Sequence, residues 1–344
     1  MMRPDRGHVK VVFRLLLFLE LLSPGHLWSQ SPLRHLRIGY SATDVSYLPL
    51  WLAREGGTFK KHGLGVELVY IPGGPTLIQA LMAGELSAAA SGGTSAVLAG
   101  AGGGPVKIVL AFNNVLPYEI FAARQEKGSI KEIRDLRGKK VGVARRGSES
   151  ESVVRLLLKR FMVNPDDVTF IQVGGGGERL AALEKGSIDA TAMSLPLNLK
   201  ARKLGFPMIA TVMNENLDWV HSVLAMNRGF IDRNPAVAED VIKTIVEATN
   251  SAVEDKPTAK KVIGRYLKIG EEDILEGAYR YFRDLYVRDF YPSAAGLQRV
   301  VDDISLFRPD LKGMKPDQVI DVSILQRLKK GELKESPLSS PSGT

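Results

Sequence analysis

The sequence predicts an α/β fold of two similar lobes that face each other across a cleft. Three observations carry it. Residues 36–93 read strand, helix, strand, helix, strand, the alternation of a parallel sheet. Residues 140–196 repeat that order. Arg37-Ile38-Gly39-Tyr40 parallels Lys140-Val141-Gly142-Val143, and Gly73-Gly74 parallels Gly175-Gly176. Ala80-Leu81-Met82-Ala83-Gly84 parallels Ala182-Leu183-Glu184-Lys185-Gly186, with Leu86 and Ile188 following. Finally, 344 residues suffice for two domains with real cores. Two generic βαβ units are the plainer alternative.

In order, residues 36–40 read as a buried strand. A polar loop, 41–46, leads to a helix over 47–61, where Leu48, Trp51, Leu52 and Phe59 recur at helical spacing. Gly63 and Gly65 end it. A strand over 66–71 follows, then a helix over 75–84 opened by Gly73-Gly74-Pro75, and a strand over 86–90. Small residues over 94–103 make a helix, and 106–112 a strand ending at Asn113-Asn114. A strand over 119–124 carries the chain to the second lobe, and a short helix over 130–137 precedes the repeat. Beyond the repeat come a helix over 197–204, a strand over 208–212 and a strand over 220–226 that brings the chain back. The last third is helical: 235–254 behind an Asn234 cap, then 258–267, 272–286, 297–306 and 319–328. The Ser- and Pro-rich end, 335–344, is expected to be disordered.

Residues 1–30 differ from the rest. Arg3, Arg6 and Lys10 precede an apolar run, and Ser23-Pro24-Gly25 and Ser29 offer small residues near a cut, the outline of a secretory signal peptide. Arg14 and Glu20 make that run too charged and too short for a comfortable membrane span. The chain has no cysteine, which excludes disulfides, thiolate metal sites, iron–sulfur clusters and cysteine nucleophiles. It also excludes a lipid anchor on an N-terminal cysteine, so an exported chain is expected free in the periplasm. Net charge is +8, spread in pairs such as Lys60-Lys61 and Arg145-Arg146 without a long basic run. That reads as mild steering toward anions, not as a nucleic-acid footprint.

RIGYSATDVSYLPLWLAREGGTFKKHGL, GGPTLIQALMAGELSAAASGG, DLRGKKVGV, AALEKGSIDATAMSLP and NPAVAEDVIKTIVEA, in that order and spacing, resemble the nitrate/sulfonate/taurine-type substrate-binding proteins of ABC importers (NMT1/SsuA-like). The resemblance runs from about residue 36 to 306. It implies a type II periplasmic-binding-protein fold, two α/β lobes joined by a two-crossover hinge with the ligand cleft between them. Mapped here, lobe one is 34–122 plus 223–330 and lobe two 123–222. The implied function is capture of a small anionic solute, such as a sulfonate, taurine, nitrate or carboxylate, by a monomer that delivers it to an inner-membrane permease. No cofactor, metal or nucleic acid is expected.

Helix N-termini carry unpaired N–H groups and partial positive charge, so small anions bind there. The ligand-binding candidates in lobe one are Ser41, Thr43, Ser46 and Tyr47; Gly73, Gly74 and Thr76; and Gly92, Gly93 and Thr94. Asn113 ends a strand and can reach inward. In lobe two they are Arg145, Ser148 and Ser150, then Gly175, then Ser194 and Pro196, with Glu149 placed to cancel charge or meet a cationic group. His221 lies near the return crossover. Plain capping and turn geometry also account for the serines and glycines. An enzyme on the same fold, related to thiamine-pyrimidine synthases, is the rival reading. It lacks the cysteine-rich iron site of that family, and no HExxH, GxSxG or P-loop lysine is present. A sensor that docks on a receptor is the third.

Overall fold

The computed structural model describes residues 32–124, 130–213 and 217–331. The expected signal peptide and disordered tail lie outside the described residues. The first part of the chain runs β1 (Arg34–Tyr40), α1 (Leu48–Glu55), α2 (Thr58–Lys61), β2 (Leu64–Tyr70), α3 (Gly74–Met82), β3 (Ala88–Gly92), α4 (Gly93–Ala101) and β4 (Val106–Val115). The middle runs β5 (Glu119–Ala122), β6 (Lys140–Val143), α5 (Glu149–Arg160), β7 (Thr169–Gln172), α6 (Gly176–Glu184), β8 (Ala190–Met193), α7 (Leu197–Lys203) and β9 (Met208–Thr211). The chain then follows β10 (Asp218–Asn227), α8 (Arg228–Arg233), α9 (Pro235–Glu254), α10 (Lys256–Leu267), α11 (Glu272–Leu285), α12 (Ala294–Ser305) and α13 (Ser323–Gly331).

Among the described residues two five-stranded sheets result, ordered β2-β1-β3-β10-β4 and β7-β6-β8-β5-β9. The order is the same in both, with one antiparallel strand fourth in each: β10 between β3 and β4, and β5 between β8 and β9. Each crossover therefore supplies a strand to the sheet it enters. Glu119–Ala122, inside the segment expected for lobe one, pairs in the second sheet.

The repeat read from the sequence is physical. Gly39 on β1 lets Leu77 and Leu86 press on the strand, and a Cβ there would lie 2.7 Å from Leu86 Cδ1. Gly142 on β6 lets Ile188, the counterpart of Leu86, do the same. Both glycines serve close packing of the following α/β connection on the first strand.

Three expected helices differ. The run over 47–61 is a 3-10 turn at Val45–Tyr47, then α1, then α2. It breaks because Gly57 takes φ 74°, a conformation that ends one helix and redirects the chain into the next. The segment 130–137 is a single 3-10 turn, Ile133–Leu136. The last helix starts at Ser323, not 319, after a 3-10 turn at Pro316–Val319.

Helices α1, α9, α10 and α11 cover one face of the first sheet over a core that includes Trp51, Leu224 and Ile245. Trp51 is fully buried and stacks on Tyr266 at 4.9 Å. A second core runs from Leu77 and Val223 into the other half through Ile120, Val141 and Leu157. A third, with Phe121, Leu180 and Phe206, lies on the far face of the second sheet.

Candidate functional site

The carboxyl ends of β1, β3, β6, β7 and β8 feed loops that converge on one cavity, as open α/β sheets do at their ligand sites. The space left there is about 50 Å³.

From the first half, the loop after β1 brings Ser41, Thr43 and Asp44 to the cavity. Asp44 caps the 3-10 turn, its Oδ1 accepting from the Ser46 amide at 2.9 Å. That turn delivers Tyr47, whose hydroxyl lies 3.3 Å from Ser41 Oγ. Gly73 and Gly74 open α3, and Gly92 caps α4 through its backbone, so both helix starts face the cavity without a capping side chain in the way.

From the second half, Ser148 and Ser150 line the cavity but also hold their own loop. Ser150 Oγ accepts from the Ala144 amide at 3.0 Å, and Ser148 Oγ from the Arg145 amide at 3.3 Å. Gly175 and Gly176 start α6, and Ser194 follows β8. His221, on β10, completes the group.

The remaining sequence candidates lie outside the lining. Ser46 is buried behind Asp44, and Thr76 is exposed on α3. Gly93 packs its backbone against the Val220 carbonyl, with Thr94 buried beside it. Asn113 donates to Tyr281 Oη at 3.1 Å and accepts from the Val115 amide at 2.7 Å. Arg145 donates to the Ala144 carbonyl at 2.9 Å and lays its stem against Gly73. Pro196 is the backbone cap of α7.

Two features were missed by sequence reasoning. One is a charged cluster around His221. Its Nδ1 is hydrogen-bonded to Glu149 Oε2, and its Nε2 lies 3.7 Å from Asp44 Oδ2. Trp219 Nε1 donates to Glu149 Oε1 at 3.2 Å, and the Tyr118 ring stands edge-on to the imidazole at 5.7 Å. Glu149 sits on α5 of the second half while Asp44, Trp219 and His221 sit in the first, so the cluster bridges the halves. Ser95 Oγ to the Gly147 carbonyl, 3.1 Å, bridges them again. Burial alone would lower the His221 pKa, but the Glu149 and Asp44 carboxylates outweigh it and push it up to about 10. Burial raises Glu149 despite His221 and Trp219. Asp44 goes the other way, the neighbouring charge of His221, with Ser194 and the Ser46 amide, prevailing over burial.

The other missed residue is Arg179 on α6, 5 % exposed. It donates to the Gly174 carbonyl at 2.8 Å and the Ala192 carbonyl at 3.3 Å, and its buried Nε has no hydrogen-bond partner among the described residues. Burial lowers its pKa. A signal was available: Arg179 shares a helix face with Leu183, where a solvated arginine does not belong.

The NMT1/THI5-like family profile matches residues 44–259. A protein of Brucella abortus (strain 2308), provisionally named a binding protein, is 26% identical over 243 residues, 70% of this chain and 73% of that one. The periplasmic aliphatic sulphonate-binding protein SsuA of Escherichia coli superposes with a TM-score of 0.64 at 21% identity, over 85% of this chain and 92% of SsuA. The periplasmic nitrate-binding protein NrtA of Synechocystis PCC 6803 gives 0.71 at 16% identity, over 90% of this chain and 93% of NrtA. With two sheets of one strand order, a cavity at their carboxyl ends and a family match across most of both, the chain belongs to the NMT1/THI5-like family and has the two-lobed periplasmic-binding-protein fold.

Proposed function

We propose that this protein is the periplasmic solute-binding component of an ABC importer. It captures a small solute with an acidic group between its lobes and presents the closed form to an inner-membrane permease. The observation that carries this reading is Arg179. It is a buried cation with an unpartnered Nε, set in a cleft beside the N-termini of α3, α4 and α6. The names of SsuA and NrtA, which bind a sulphonate and nitrate, support an anionic ligand. In this reading the hinge lies in the two crossovers, between β4 and β5 and between β9 and β10. Contacts made by both lobes to one solute shift the population toward closure.

Chemistry at the site is disfavoured by His221. An imidazole with its pKa pushed up to about 10 stays protonated at neutral pH and is a poor general base. The test is a thermal-shift screen of the mature protein against sulfonates, nitrate, bicarbonate and carboxylates, with each compound re-analysed afterwards. A ligand at about a hundred times its dissociation constant adds about 2.7 kcal/mol, and each kcal/mol is worth roughly 2–4 °C. A selective shift with the compound recovered intact supports a solute receptor. Conversion of the compound to product defeats it.

A further inference from the structure

We propose that the turn over 144–150 of the second lobe is a closing plug, and that seating its Glu149 carboxylate in the first lobe populates the closed form before any solute arrives. This rests on the hinged cleft described under the proposed function and gives its closure a residue of its own.

The turn is held rigid on its own side. Ser150 Oγ and Ser148 Oγ accept the Ala144 and Arg145 amides, Glu151 Oε2 accepts the Gly147 amide at 2.6 Å, and Gln172 Oε1 accepts the Arg146 amide at 3.1 Å. Gly147 takes φ 75°, which lets the chain double back into α5. A turn fixed this way has little freedom left to lose when it docks.

Its outer face meets the first lobe at three successive points. The Arg145 stem lies on Gly73, where a Cβ would be 2.5 Å from Arg145 Cγ. The Gly147 carbonyl accepts from Ser95 Oγ at 3.1 Å, and a Cβ on Gly147 would lie 3.3 Å from Leu98 Cδ1. Glu149, the first residue of α5, is buried at the third point. Gly92, Trp219 and His221 form its socket. Trp219 Nε1 donates to one carboxylate oxygen and the His221 imidazole holds the other. A Cβ on Gly92 would lie 3.3 Å from Glu149 Cβ and 3.4 Å from its Oε2, so the glycine leaves the room that the side chain fills. Gly92 also caps α4, whose N-terminal partial charge favours a carboxylate beside it.

This geometry separates two uses of Glu149. A residue that meets a cationic solute group keeps an oxygen for it. Here both oxygens are taken by groups of the opposite lobe, so Glu149 joins lobe to lobe. Its bonds are buried and charge-assisted, which sets them apart from the other interlobe ion pair, Lys203 to Asp273 at 2.9 Å, whose two ends are exposed. Loss of one acceptor at Glu149 leaves a donor unpaired in the dry closed form alone, because water reaches that donor once the cleft opens. The more of the protein is already closed, the tighter a solute that needs the closed form will bind.

The experiment is a distance measurement by double electron–electron resonance. Nitroxide labels go on Gln79→Cys in α3 and Ala181→Cys in α6, exposed positions in opposite lobes. The chain has no cysteine of its own, so these are its only thiols. The labelled protein is dialysed through denaturant to strip small solutes and refolded. With the native Glu149, the short distance should dominate. Glu149→Gln is nearly isosteric but turns one acceptor into a donor, and should raise the long-to-short ratio about tenfold or more. Trp219→Phe removes one donor and should shift the ratio the same way, and it decides the matter if the first variant does not fold. Lys203→Ala should change the ratio by less than about threefold. A dominant long distance with Glu149 intact overturns the plug and leaves solute-driven closure standing. So does a mixture of distances that Glu149→Gln shifts no further than Lys203→Ala. A single short distance in every variant shows that the cleft does not open, and then the hinged reading falls along with the plug.

Discussion

At the scale of single residues, His221 is a buried imidazole in an environment far from water. It faces the carboxylates of Asp44 and Glu149 and the edge of the Tyr118 ring. Its pKa is near 6.5 in an unfolded chain and is pushed up to about 10 here. A raised histidine stabilises the fold fully below its unfolded pKa, and that contribution is lost as pH climbs through the folded value. The thermal midpoint should therefore fall between about pH 7 and 10, and His221→Gln should flatten that fall. A wild type and variant with parallel profiles would show that His221 does not carry the dependence. The residues of this site were only half legible in the sequence. Ser41, Thr43 and the paired glycines stood out because hydroxyls and glycines at strand ends are local signals. The Glu149–Trp219 and Glu149–His221 bonds join residues 70 and 72 positions apart, and no local pattern encodes them. Arg179 carried one faint signal, its place on the helix face of Leu183, which a cation near a helix start masks because such a cation usually reads as a solvated face.

At the scale of elements, the chain announced its strands better than its helix boundaries. Apolar runs bounded by glycines fix where a strand is, but whether 47–61 is one helix or two depends on the φ of Gly57, which spacing does not show. The paired glycines Gly39 and Gly142 allow a direct test of the repeat. Each holds a place where a methyl group would strike the side chains of the following connection: Leu77 and Leu86 in one lobe, Ile188 in the other. Gly39→Ala and Gly142→Ala should each cost about 1–3 kcal/mol, read as a lower urea midpoint with unchanged slope. Gly93→Ala should cost more. Its methyl would meet the Val220 carbonyl, and a backbone oxygen cannot rotate aside as a leucine can. Equal midpoints for wild type and the two repeat variants would show that the packing at those glycines has slack.

At the scale of the whole molecule, the two-lobed plan was legible because the repeat is written twice in one order. The ownership of the crossover strands was harder to read: β5 follows the first lobe in sequence but pairs in the second sheet. This exchange of strands has a consequence for the order in which the molecule can be assembled. Every strand of the second sheet lies between Glu119 and Thr211, one continuous stretch. The first sheet is interrupted: β3 and β4 stay apart until β10 slots between them, and β10 begins only at Asp218, after the entire second lobe. A chain emerging from its N-terminus can close the middle while its beginning still waits for its end, and the long loop to be closed makes that wait slow. Pulse-labelled hydrogen exchange during refolding should accordingly protect β5 to β9 before β3 and β4. Protection of β3 and β4 first, or of all strands in one phase, would show that the lobes do not form in that order. If they do, the partner surface for the first lobe is already built when its last strand arrives, and the cleft is formed by an open half settling against a finished one.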